Sequence, residues 1–77
     1  MAQSSVRGRL AYVLMMLDDI YEGEMINMTL EDLANFVGTA TETLIRFLKG
    51  FREEGLLRTH IRKIEILDRD RLLHMVK

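Results

Sequence analysis

Glu42 and Arg46 stand four residues apart in the segment Thr41-Glu42-Thr43-Leu44-Ile45-Arg46, and on a helix that spacing sets the two side chains next to each other. An arginine can give two hydrogen bonds to guanine O6 and N7, and a glutamate can accept one from a cytosine amino group, so the pair has the chemistry to read adjacent base positions. The same spacing also makes an ordinary surface ion pair. Between them, Ile45 either leaves apolar area in water or meets something apolar, for which a thymine methyl is one candidate. Turning about 100° per residue puts Thr41, Glu42, Ile45, Arg46, Lys49 and Arg52 in one sector, opposite Leu44, Phe47, Leu48 and Phe51.

Other chemistries are poorly served. His60 and His74 are far apart, cysteine is absent, no glycine-rich phosphate loop is present, and the acids look like helix-start and solvated-face residues, so no enzyme is expected. The histidines and nearby acids lack any recognised ligand spacing; neither a metal nor a cofactor is expected in this chain. Without cysteine there is no disulfide framework, which fits a reducing cytoplasm.

The net charge of −1 is not the basic footprint usual for a nucleic-acid partner, but its distribution is uneven. Residues 18 to 32 carry six acids and no base, whereas residues 41 to 63 carry six bases against three acids. Phosphates would be attracted to one end of such a domain and repelled by the other.

Those residues need elements to hold them. A chain of 77 residues, 48% hydrophobic and 30% charged, has room for one small domain and should fold throughout. Val6, Leu10, Val13, Leu14, Leu17, Ile20 and Tyr21 form one helical stripe, ended by Gly23. Arg7 and Arg9 before the apolar run could pass for the start of a signal peptide, but Asp18 and Asp19 follow it and the helical period continues past them. Residues 1–5 read as a disordered, frayed lead-in, leaving 6–77 as the domain. Met25 to Met28 is a brief extended link. Thr29 then caps a short second helix with Leu30, Leu33, Ala34 and Val37 on its apolar side, ended by Gly38. A third helix spans 40–54 and closes at Gly55. The six methionines are expected as core filling.

After Gly55 the period falls to two, giving a hairpin with Leu57 and Thr59 on one strand and Ile64 and Ile66 on the other, and Asp68 caps a last short helix. The hairpin tip falls at Ile61 and Arg62. Two-residue hairpin turns normally need positive φ at the first residue, which a β-branched side chain resists. The expectation is therefore a longer, looser turn with Ile61 at negative φ, or a hairpin that opens and exchanges with a neighbouring copy. Two short helices joined at a glycine turn, the second followed by a basic hairpin, form the arrangement that lays a helix in the major groove with a wing beside it. The fold class expected is α+β, mainly α, a winged helix-turn-helix.

Three stretches make the chain recognisable: Met28-Thr29-Leu30-Glu31-Asp32-Leu33-Ala34, Val37-Gly38-Thr39-Ala40-Thr41-Glu42-Thr43-Leu44-Ile45-Arg46, and Glu54-Gly55-Leu56-Leu57. Together with the wing exit Lys63-Ile64-Glu65-Ile66-Leu67-Asp68, they resemble the helix-turn-helix signature of the Crp/Fnr family, from about Val6 onward. The resemblance implies a bacterial, cytoplasmic transcription regulator that binds double-stranded DNA at a palindromic operator as a homodimer, with no membrane partner. It implies base reading by Glu42 and Arg46, with Thr41 and Ile45 on the same face, and phosphate contacts from Thr29, Thr43 and His60. Lys49, Arg62 and Lys63 complete the expected phosphate-contacting set. Three positions depart from the family pattern: Thr41 stands where some members place an arginine reader, Ala40 where serine is frequent, and Ile61 at the usual wing glycine. The family's effector-binding β-roll and long dimerisation helix have no counterpart in these residues. The rival reading is a winged helix that meets a protein partner instead of DNA.

Overall fold

Ser5 opens the first helix. In the computed structural model, which describes residues 5–76, the Ser5 hydroxyl accepts a hydrogen bond from the Gly8 backbone N–H at 3.0 Å and caps α1, Val6–Ile20. Ser5 thus belongs to the helix and not to a frayed lead-in, because an N-terminal hydroxyl satisfies a donor that the first turn leaves without a partner. The rest of the expected lead-in, residues 1–4, lies outside the described residues. α1 buries Leu10, Ala11, Val13, Leu14 and Leu17. Ile20, expected on the same stripe, is 65% exposed; it lies on the stripe's flank at the last helical residue. Tyr21 ends the helix and its hydroxyl donates to the Asn27 carbonyl at 3.0 Å. No helix among the described residues is long and apolar enough to cross a membrane.

The expected extended link contains a strand. β1, Ile26–Asn27, pairs antiparallel with β3, Lys63–Ile66, which in turn pairs with β2, Leu57–His60, so the hairpin is part of a three-stranded sheet ordered β1-β3-β2. Two helices stand between β1 and the hairpin, α2 at Leu30–Val37 and α3 at Thr41–Glu53, and α4, Arg69–Met75, closes the chain against α1. One core joins them all, with Leu10, Leu14, Ile26, Leu33, Leu44, Phe51, Leu56, Leu57 and Leu72 almost wholly buried. This is the winged helix-turn-helix architecture, mainly helical, that the residue pattern predicts. The methionines differ from expectation: none of those described is fully buried, and Met15, Met28 and Met75 pack at the rim of the core. Branched leucines occupy its centre, where fixed rotamers pack to higher density than a flexible thioether.

The wing turn is tight. His60 faces Lys63 in the ladder, leaving Ile61 and Arg62 as a two-residue turn and not the looser one expected. A one-residue slip would turn every side chain to the opposite face, and Leu57 and Ile64 are held in the core; burial fixes the register, and in that register the pairing runs on to His60 and Lys63. Ile61 indeed escapes positive φ. The left-handed conformation falls on Arg62 instead, at φ 60°. A left-handed non-glycine residue costs about 1–2 kcal/mol, of which glycine's extra chain entropy returns about half. Arg62→Gly is accordingly expected to stabilise the domain by roughly 0.5–1 kcal/mol, raising its melting temperature by a few degrees. A lower melting temperature in a thermal circular-dichroism scan would show that Arg62 is at ease there.

Candidate nucleic-acid interface

The interface is built on α2, the turn after it, and α3. Thr29 caps α2 by accepting from the Asp32 N–H at 3.1 Å, which leaves the threonine's own hydroxyl proton to donate outward. Gly38, at φ 82°, takes the left-handed position at the helix end, and its N–H and that of Thr39 both donate to the Ala34 carbonyl, at 2.8 and 3.0 Å. That closure turns the chain within two residues. Arg9 secures the same corner from α1, its Nε donating to the Val37 carbonyl at 2.9 Å. α3 then starts at Ala40, which provides no side-chain cap.

α3 buries Leu44, Leu48 and Phe51 and turns Glu42, Ile45, Arg46 and Lys49 outward. Its far end is held from behind. Arg71 Nη1 donates to the Glu54 carbonyl at 2.8 Å, Arg7 and Arg71 both approach the Glu54 carboxylate, at 3.3 and 3.4 Å, and the Arg7 guanidinium lies 5.6 Å from the Phe51 ring centre.

Between α3 and the wing runs a groove of about 520 Å³. Met28, Leu30, Ile45, Leu48 and Ile64 give it an apolar floor, and Lys49, Arg52, Arg62 and Lys63 a cationic border. Thr29 and His60 also line it, so six of the ten expected contact residues meet there: Thr29, Ile45, Lys49, His60, Arg62 and Lys63. Arg46 lies toward a separate, shallower hollow with Arg7, Phe47 and Gly50. Thr41, Glu42 and Thr43 stand in the first turn of α3, where Glu42 is exposed and the two threonines are half-buried.

The pairing of charges separates this face from the rest. Arg7, Arg69 and Arg71 are spent on Glu54, Asp18 and Asp19. Hydrogen bonds from Arg69, to Asp19 first and then to Asp18, hold its guanidinium above its ordinary pKa. On the interface, the side chains of Arg46, Lys49, Arg62 and Lys63 have neither a hydrogen bond nor an ion pair with any described residue. The Glu42–Arg46 ion pair that their spacing permits is not made among the described residues. His60 differs from its neighbours: its Nε2 lies 3.2 Å from Glu65 Oε1, which also receives Arg58 at 3.6 Å.

The model of the Crp-like helix-turn-helix domain matches residues 8–75. The chain belongs to that family. Among solved structures, a protein assigned to the Crp/Fnr family of transcriptional regulators from Eubacterium rectale superposes with a TM-score of 0.88 at 34% identity, over 92% of this chain and 33% of that one. The catabolite activator protein of Thermus thermophilus gives 0.81 at 29% identity, over 91% and 33%. A CRP-family transcriptional regulator from the same organism gives 0.85 at 25%, over 95% and 40%. The chain therefore spans about a third of the length of the first two of these proteins. No curated protein matches it.

Within this Crp-like domain, two polar residues of the groove lie outside the set expected as contacts. Arg52, placed on the outward sector of α3 but given no role, borders the groove and donates from Nη1 to Thr59 Oγ1 at 3.2 Å. Thr59 reads only as an alternating strand residue. No sequence signal links the two, because their contact exists only once β2 has folded back beside α3.

Proposed function

We propose that this Crp-like domain reads double-stranded DNA by sequence, as the DNA-binding part of a bacterial, cytoplasmic Crp/Fnr-type transcription regulator. α3 enters the major groove with Thr41, Glu42, Ile45 and Arg46 toward base edges. Thr29, Thr43, Lys49, His60, Arg62 and Lys63 face the sugar-phosphate backbone, and the wing follows it. The observation that carries this reading is the concentration of unpaired cations on α3 and the wing of a chain whose net charge is −1. Arg7, Arg58, Arg69 and Arg71 are paired with acids, and the cations on this face are left to an external anion. In the whole regulator, two such domains joined by a dimerisation helix next to an effector-binding sensor would meet a palindromic operator.

The test separates reading from holding. Arg46→Ala is expected to cost about 1–3 kcal/mol at the cognate half-site and to relax the preference for guanine, whereas Lys49→Ala weakens every sequence alike. Selection of bound duplexes from random DNA, repeated with each variant, gives the preference directly. An unchanged preference in Arg46→Ala would remove it from the base-reading set. Binding that ignores ionic strength would instead favour a protein partner for this face, since phosphate contacts release counterions.

A further inference from the structure

Arg52 occupies the last turn of α3 and Thr59 the middle of β2, where it faces Ile64 across the ladder. Thr59 is on the same side of its strand as buried Leu57, and with Ile64 it forms the wall of the groove that α3 faces. The 3.2 Å bond from Arg52 Nη1 to Thr59 Oγ1 therefore crosses from the recognition helix to the wing. It occupies one donor nitrogen of the guanidinium. Nε and Nη2 have no partner among the described residues, and together they make the two-pronged edge that matches two oxygens of a phosphate. Lys49, three residues earlier on the same helical sector, adds positive potential at the same place.

We propose that Arg52 is a ligand for a backbone phosphate, positioned by Thr59, and that the pair fixes the spacing at which helix and wing grip one DNA strand. The inference rests on the DNA-binding reading above. An arginine anchored at one nitrogen before binding has less rotamer freedom to lose when the phosphate arrives. Threonine suits the anchoring position because its hydroxyl accepts from arginine and its β-branched side chain has few rotamers to lose.

The experiment measures binding of a short mixed-sequence duplex by fluorescence anisotropy across a range of salt concentrations. It uses the 77-residue chain and the variants Arg52→Ala, Arg52→Lys, Thr59→Val and the double change Arg52→Ala with Thr59→Val. Each phosphate contact adds about 0.9 to the slope of log affinity against log salt. Arg52→Ala should therefore flatten the slope by about that amount. Arg52→Lys and Thr59→Val should keep the slope, because the charge remains, yet weaken binding several-fold, because the fork or its anchor is lost. The double variant should bind no more weakly than Arg52→Ala alone, the mark of two residues acting as one unit. A wild-type slope in Arg52→Ala would overturn the proposal and leave Arg52 as a structural brace. So would Thr59→Val binding as tightly as the unaltered chain, or losses that add in the double variant. If Lys49→Ala still flattened the slope in those cases, the DNA-binding reading would survive the loss of Arg52. Absence of salt-dependent binding by the unaltered chain would instead overturn both.

Discussion

Two copies of the domain joined by a flexible linker are expected to bind a palindromic operator about 10²- to 10⁴-fold more tightly than one copy, without any new contact. One recognition helix covers one half-site, and half-sites read by paired domains of this kind lie about 34–36 Å apart along the DNA. The domain measures 35 × 26 × 24 Å, so two fit side by side at that separation. A glycine–serine linker of about 40 residues has a root-mean-square length close to the same distance. Titrating single and tethered domains against an intact operator, and against one with a scrambled half, gives the comparison. Equal affinity of tethered and single domains for the intact operator would mean that one α3 already captures everything the site offers.

The outward face of α3 was legible in the sequence because the helix keeps an uninterrupted period: once Leu44, Leu48 and Phe51 are inward, Glu42, Ile45 and Arg46 can only be outward. β1 was not legible as a strand. Two residues have no period, and Ile26–Asn27 becomes a strand only through its pairing with Ile64 and Lys63, far along the chain. The wing turn shows a mixed case. Local chemistry correctly bars Ile61 from positive φ, but which residue then accepts it depends on a register fixed by buried neighbours on both strands. The Arg52–Thr59 bond is likewise a tertiary fact, set by where a long side chain finds a partner.

Phe51→Ala is expected to be the most damaging single change on the inner side of α3. Phe51 is 1% exposed and heads the largest fully buried side chains. Removing a buried phenylalanine typically costs about 3–5 kcal/mol. At roughly 0.05–0.15 kcal/mol per residue, a domain of this length holds about 4–12 kcal/mol in total. The variant should lose at least about 12 °C in melting temperature, and with it DNA binding. Phe51→Leu, which keeps most of the volume, should recover much of the difference. Thermal unfolding followed by circular dichroism decides it, and a loss below about 1 kcal/mol would show that the surrounding core closes over the space.

The ties at Glu54 bear on how the domain answers a mechanical load. Arg7 from the first turn of α1 and Arg71 from α4 both end on this one residue, and Arg71 grips its backbone carbonyl as well as its carboxylate. At the opposite corner, Arg9 of α1 holds the end of α2 just before the glycine turn. α1 thus holds the helix pair at two points, one at the end of α2 and one at the end of α3. A rotation of α1 is therefore expected to carry α3 with it.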